Sequence, residues 1–139
     1  MYGKQKFKTT QAREWSYQVF NHLNHISNIK NMKAFRESFN SDIEAIEADL
    51  TFYFPEDIIL LKKGGISGRA FDITNMEKCI VDLIFDKQYF EKDPPYGCEN
   101  LNLDDKYIIS MQSRKRVSPD GEFSMVIKLK TIPLEDVRG

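Results

Sequence analysis

The segment EAIEADLTFYF, residues 44–54, carries a hydrophobic side chain at every second position. The repeating residues are Ile46, Ala48, Leu50, Phe52 and Phe54, and they alternate with more polar ones. A period of two places all five on the same side of an extended chain. The sequence therefore predicts a half-buried β-strand that ends before Pro55.

Helical periodicity appears on both sides of this strand. Trp15, Val19 and Ile26 belong to a pattern that predicts a long amphipathic helix over residues 11–30, and Phe35 and Phe39 suggest a short second helical piece. A further helix is predicted over residues 75–86. Its start resembles a capping box, in which Thr74 would accept from the Glu77 amide and the Glu77 carboxylate would reach back to Thr74.

Two more alternating runs follow a Pro- and Gly-containing loop at residues 87–102. The first predicts a strand over residues 106–117, in which Tyr107, Ile109 and Met111 alternate with Ser110, Gln112 and Arg114. The second returns after SPDGE (residues 118–122), an Asp-Gly turn signal that predicts a β-hairpin. In this return strand one face carries Phe123, Met125, Ile127 and Leu129. The fold class indicated is α+β, with a small mixed or antiparallel sheet packed by two main helices in a single domain, 1–139.

The composition is that of an ordinary globular protein, with 41% hydrophobic and 29% charged residues and a net charge of −1. No apolar run is long enough for a membrane span, and the basic N-terminus lacks the apolar region of a secretory signal. Cys79 and Cys98 fit reduced thiols in a cytosolic protein. The net charge is not typical of a nucleic-acid-binding protein, although local basic clusters are compatible with a basic surface patch.

The polar residues of the helix at 75–86 form a stripe that begins with Asp72 and includes Asn75, Lys78 and Asp82. A structural interpretation is a helix-terminal acid followed by a solvated helix face. A functional interpretation adds the later pair Asp104 and Asp105. Carboxylates from separate elements with a nearby lysine suit metal-assisted phosphodiester hydrolysis.

Other candidate sites are weaker. His22 and His25 lack an acidic or cysteine partner nearby in sequence, so they are predicted to be surface residues rather than metal ligands. GGISG (residues 64–68) lacks the Lys-Ser/Thr ending of a phosphate-binding loop. Cys79 falls on the apolar side of its predicted helix, which disfavours a nucleophilic role.

The ordered motifs DITNMEK (residues 72–78) and LDD (residues 103–105) resemble the RusA family of phage- and prophage-encoded Holliday junction resolvases. The resemblance covers most of the chain. It implies a Mg²⁺-dependent (or Mn²⁺-dependent) endodeoxyribonuclease that resolves four-way DNA junctions as a homodimer in the cytoplasm of a bacterial host. It leaves open whether an N-terminal strand of the family is missing.

The resemblance also implies roles for individual residues. Asp72 and Asp105 would be metal ligands, with Asp104 as a further ligand, and Lys78 would be the catalytic lysine. The residues expected to contact DNA are Lys6, Lys8, Lys62, Lys63, Arg69, Asn75, Arg114 and Arg116.

Thr74 departs from the family pattern, which has a second metal-binding aspartate at that position. A hydroxyl is a poorer ligand than a carboxylate for a hard divalent cation, so metal binding should be weakened. An alternative hypothesis is therefore a RusA-fold protein that binds branched DNA or a protein partner with reduced or lost nuclease activity. An unrelated regulatory role is a third alternative.

Overall fold

The structure is a computed structural model of the 139-residue chain, and it describes residues 26–69, 72–86 and 100–139. Lys6, Lys8, His22, His25 and Cys98 lie outside the described residues, as do the predicted helical segment 11–25 and most of the predicted loop at 87–102.

Three strands in the described part of the chain form one mixed sheet in the order β2-β1-β3. β1 spans Glu44–Phe54, β2 spans Ile108–Val117 and β3 spans Ser124–Pro133. The central strand β1 runs parallel to β2 and antiparallel to β3. The predicted α+β class with a mixed sheet is confirmed, and the strand predicted at 44–54 has the observed bounds.

The two faces of β1 differ in burial as the period of two predicts. Ile46, Ala48, Leu50, Phe52 and Phe54 are all buried, which defines the closed face of the sheet. The opposite side is named the open face and carries Glu47, Asp49, Thr51 and Tyr53 on β1. Thr51 is buried there, whereas the other three are half-buried. The closed face thus carries most of the buried hydrophobic side chains of β1, and the opposite side adds only the buried Ala45 at the start of the strand.

The predicted hairpin between the last two strands is wrong, because β1 lies between β2 and β3. The turn itself is present: Gly121 has a φ of 77°, and the Asp120 carboxylate accepts from the Ser118 hydroxyl and the Glu122 amide. These local bonds reverse the chain without choosing its partner strand. The most hydrophobic strand, β1, offers both neighbours more buried surface than they offer each other.

β2 starts two residues later than predicted, after a 3-10 turn at Asp105–Tyr107. Its register with β1 shifts between Ile46 and Glu47, which leaves Ile109 as an extra residue, 43% exposed. Ile109 was predicted to share a face with Met111, but the bulge leaves it outside the register with β1, so the pairing does not assign it to that face. From Met111 onward the predicted alternation holds, with Gln112 and Arg114 on the open face.

Four α-helices occur in the described residues: α1 (Ile26–Ser38), α2 (Glu56–Ile59), α3 (Ile73–Phe85) and α4 (Leu134–Val137). Residues 26–30 are helical as predicted, but the helix continues to Ser38, so a separate helical piece containing Phe35 is wrong. Phe39 lies beyond the helix, with its ring centroid 5.4 Å from that of Tyr107. None of the described helices is long and apolar enough to cross a membrane.

The chain divides into two compact units. Among described residues, the first contains 26–38, 79–86 and 100–104, and the second contains 39–69, 72–78 and 105–139. The sheet and the first half of α3 therefore belong to the second unit. The assignment of 1–139 to one RusA-like domain stays a prediction.

In the first unit, the fully buried Asn100 terminates α3. Its amide nitrogen donates to the carbonyls of Leu83, at 3.1 Å, and Asp86, at 2.9 Å. The Arg36 guanidinium donates to the Asn100 backbone carbonyl at 2.7 Å. The two bonds from the Asn100 side chain satisfy carbonyls that a helix end leaves without intrahelical partners. The bond from Arg36 links α1 to this end of α3.

Candidate functional site

Asp72 caps the N-terminus of α3. Its Oδ1 accepts from the Asn75 backbone amide at 2.9 Å, and its Oδ2 accepts from the Asn75 side-chain amide at 3.3 Å. This is the geometry of an aspartate that satisfies an orphan donor in the first turn, where the helix dipole favours negative charge. The structural interpretation of Asp72 as a helix-terminal acid is therefore confirmed.

The predicted capping box is wrong by two residues. The helix begins at Ile73 rather than at Asn75, so Thr74 is its second residue and not its cap. The Thr74 side chain is exposed. The Glu77 carboxylate, which was predicted to reach back to Thr74, instead accepts from the Ser113 hydroxyl of β2. Ser113 pairs with Leu50 and so lies on the closed face. This contact positions the first half of α3 on the closed side of the sheet.

The polar stripe predicted on α3 is exposed from Asp72 to Lys78, whereas its last member, Asp82, is half-buried. Asp72, Asn75 and Lys78 are all exposed, whereas Met76 between them is 1% exposed. One side of the first two turns is thus anchored in the core, and the other offers a carboxylate, an amide and an ammonium group to solvent. The carboxylate is held by Asn75, so the Asp72–Asn75 pair has a defined geometry.

The remaining acids proposed as ligands are placed differently. Asp105 is exposed at the start of the 3-10 turn that leads into β2, within the same unit as Asp72 and Lys78. Asp104 is exposed and belongs to the other unit, as does the half-buried Asp82. The described residues contain no group of three or more His, Cys, Asp or Glu side chains that could hold a metal ion.

Two of the predicted DNA-contacting lysines occupy a tight turn. Lys62 and Lys63 are exposed between Leu61 and the glycines at 64 and 65, whose φ values are 94° and 97°. The Leu61 amide donates to the Gly65 carbonyl and the Gly64 amide donates to the Leu61 carbonyl, so the turn is closed by its own backbone. Glycine is needed here because other residues rarely adopt this φ.

Arg69, also predicted to contact DNA, lies beside Asp57. Its guanidinium donates to the Asp57 carbonyl at 3.3 Å and is 3.8 Å from the Asp57 carboxylate. Both side chains are more than half exposed, so the ion pair is weak and solvent-screened. Arg69 remains accessible to an anionic ligand.

Arg114 and Arg116 lie on the open face of the sheet, opposite Thr51 and Tyr53 respectively. The Arg114 guanidinium donates to Asp49 at 2.6 and 3.3 Å and to the Thr51 hydroxyl at 2.8 Å. These bonds hold the pKa of Asp49 below its usual value and raise that of Arg114. Arg114 is therefore committed to a cross-strand ion pair, whereas Arg116 is exposed at the far end of the strand.

Sequence reasoning did not single out Lys128 and Lys130, which are exposed on the open face of β3. The signal was available, since Ile127 and Leu129 were predicted to share one face and the lysines alternate with them. Lys128 lies opposite Asp49, and Lys130 lies 3.4 Å from the Glu47 carboxylate. The charge of this face therefore combines cations from β2 and β3 with acids from β1.

Cys79 is half-buried and is not part of a disulfide.

Comparisons of the chain with models of known protein families, with curated proteins and with solved structures gave no match.

Proposed function

We propose that the protein is a Mg²⁺-dependent, structure-selective endodeoxyribonuclease that acts on four-way DNA junctions. The observation that carries the proposal is the exposed set Asp72, Asn75 and Lys78 at the start of α3, with the Asp72 carboxylate oriented by two hydrogen bonds from Asn75. Asp105, on the same unit, supplies the second acid of the ordered motif. The RusA-like order of these residues supports the choice of substrate.

The donor chemistry fits Mg²⁺, which takes hard oxygen ligands. Mg²⁺ is commonly held through one or two carboxylates and completed by water and substrate phosphate, so a cluster of three acids is not required. Asp72 and Asp105 would hold the ion, and Asp104 stays a predicted further ligand. With so few protein ligands, binding should be weak until DNA contributes its phosphate oxygens.

The bound ion would activate water and neutralise phosphate charge. The chain's own residues have separate tasks. Asn75 fixes the rotamer of Asp72, and the exposed Lys78 ammonium stabilises negative charge that develops on the phosphate during hydrolysis. Two symmetric cuts in a four-way junction require two such sites, and the proposal therefore includes a homodimer.

Cleavage of a labelled synthetic four-way junction with Mg²⁺ or Mn²⁺ tests the proposal. We expect the parent to cut the junction, and Lys78→Gln and Asp105→Asn to lose cleavage while keeping the circular dichroism of the parent. Asp136→Asn is the matched control, since Asp136 is an exposed aspartate of α4 in the same unit. If Asp105→Asn cuts as fast as Asp136→Asn, the assignment of the site is wrong.

A second candidate function is binding of branched DNA, or of a protein partner, with reduced or lost cleavage. Thr74 favours it, because an exposed hydroxyl stands where the resembled family has a carboxylate. The test is Thr74→Asp, with Thr74→Asn as a control of similar size and no charge. An acid in the first turn of α3 is compatible with the helix dipole, so the fold should tolerate it.

The two functions give different results with these variants. A decayed nuclease predicts a parent that binds junctions without cutting them and a Thr74→Asp variant with tighter Mn²⁺ binding and restored cleavage. An active nuclease predicts cleavage by the parent. A parent that neither cuts junctions nor binds DNA with a salt-dependent affinity contradicts the nuclease and the DNA-binding function, because phosphate contacts always leave a salt dependence.

A further inference from the structure

The open face of the sheet carries more cations than acids. Arg114 and Arg116 project from β2 and Lys128 and Lys130 from β3, whereas the acids on the three strands of this face are Glu47 and Asp49. The register places all of them on one side of the sheet, since each of the four cations is the register partner of an open-face residue of β1. Four positive groups thus accompany two negative ones on a single surface.

Both acids are already neutralised within the sheet. The Asp49 carboxylate is bound by Arg114 at 2.6 Å, and the Glu47 carboxylate lies 3.4 Å from the Lys130 ammonium. The surplus positive charge therefore comes from Arg116 and Lys128 on the two edge strands. With strands spaced about 4.8 Å apart, β2 and β3 are separated by about 10 Å across β1. Arg116 and Lys128 are farther apart than this, because their partners Tyr53 and Asp49 are four residues apart along β1.

Tyr53 lies between the edge strands at the Arg116 end of this surface. Its register partners are Arg116 on β2 and Ser124 on β3, and its side chain is half-buried. An aromatic ring on the central strand, with the cation Arg116 beside it on β2, provides a stacking surface next to a site for phosphate. Sheet proteins that bind single-stranded nucleic acid combine these two features.

Charge disfavours a second copy of the chain as the occupant, because two such faces would bring like charges together. A hydrophobic partner is also disfavoured. Val126 is 42% exposed on this face, but its neighbours there are charged or polar. A polyanion complements the surface best.

We propose that the open face binds the phosphate backbone of a DNA strand, with Arg116 and Lys128 contacting phosphates and Tyr53 contacting a base or sugar. The choice of DNA rests on the proposed function. Because the Glu77–Ser113 contact puts the start of α3 on the closed side of the sheet, this surface is separate from the Asp72–Lys78 site. It holds an arm of the substrate away from the bond that is cut.

The test compares two double variants of the full chain that each remove two exposed lysines. Lys128→Gln with Lys130→Gln changes the open face, and Lys30→Gln with Lys33→Gln changes α1 as the control. Binding is measured by fluorescence anisotropy with a labelled four-way junction and a labelled single strand, over a range of NaCl concentrations. Vesicles containing phosphatidylserine serve as the competing polyanionic surface.

Each lost phosphate contact lowers the slope of log K against log salt by about 0.7 to 0.9, and the open-face variant loses one proposed contact, that of Lys128, so its slope should fall by about that amount. At 0.1 M salt that corresponds to an affinity loss of about fivefold to eightfold. The α1 control should bind like the parent. At saturating junction the open-face variant should keep the parent's kcat, with the loss confined to KM.

Equal DNA binding by the two double variants overturns the proposal, as does a loss of vesicle binding with DNA binding intact. Arg116→Gln on β2 provides an independent check if the β3 variant folds poorly. A parent that binds DNA through these lysines but cuts no junction supports the open face and contradicts the nuclease. A parent that cuts junctions while the open-face variant binds DNA like the parent supports the nuclease and contradicts the open face as a binding surface.

Discussion

Replacement of Asp72 separates its structural role from its catalytic one. The Asp72 carboxylate accepts from the Asn75 backbone amide at 2.9 Å, and this bond caps α3. Asparagine caps a helix about as well as aspartate, whereas alanine cannot accept the bond. Asp72→Asn and Asp72→Ala therefore differ in the cap, while both remove the proposed metal ligand.

The magnitude follows from these contacts. Loss of an aspartate cap to alanine costs about 1 kcal/mol, within a range of about 0.5 to 2. Asp72→Asn keeps the cap but loses the exposed 3.3 Å bond from the Asn75 side chain and the attraction of a negative charge to the helix N-terminus, the latter about 0.3 kcal/mol for an exposed side chain. We expect the free energy of unfolding to fall in the order parent, Asp72→Asn, Asp72→Ala, with most of the loss in the last step.

Urea unfolding followed by circular dichroism measures this order, and junction cleavage with Mg²⁺ is assayed on the same preparations. Both variants should lack cleavage, although only Asp72→Ala is appreciably destabilised. An Asp72→Ala protein as stable as the parent would refute the capping argument. Parental cleavage rates in Asp72→Asn would refute the ligand role and leave Asp72 as a cap alone.

Three further predictions concern stability. Asn100→Ala removes side-chain hydrogen bonds at the end of α3 and should cost about 2 to 4 kcal/mol in urea unfolding, whereas exposed Asn31→Ala should stay within about 0.5 kcal/mol; equal losses would contradict the role of Asn100. The pKa of Asp49 is lowered in the folded state by Arg114, so its contribution is present above the unfolded value of about 3.9 and lost as the pH falls through the lower folded value. The stability difference between parent and Asp49→Asn should thus shrink in acid, and a difference that grows on acidification would contradict the ion pair. Gly121→Ala should cost about 1 kcal/mol in thermal or urea unfolding because φ is 77° with open space around the position; a neutral result would show that the turn can relax.

Much of the secondary structure could be predicted from local patterns. The period of two in residues 44–54 reflects a strand with one buried face, and β1 has those bounds. The helical pattern before Phe85 likewise predicted α3 to within two residues at its start and one at its end. The cap was misassigned because Asp72 and Thr74 are both good capping residues, and the sequence alone does not say which one adopts the non-helical backbone.

For this protein, the sequence by itself determined the strand at residues 44–54 and the helix before Phe85, and which side of each is apolar, because those properties depend on side chains a few positions apart. The order β2-β1-β3 was decided only by the tertiary structure, since the Asp-Gly turn specifies a chain reversal while burial against β1 selects the neighbours. The same non-local pairing brings Arg116 and Lys128 to one surface from strands that never touch each other. It also commits Arg114 to Asp49, a partner 65 residues away that no local pattern indicates.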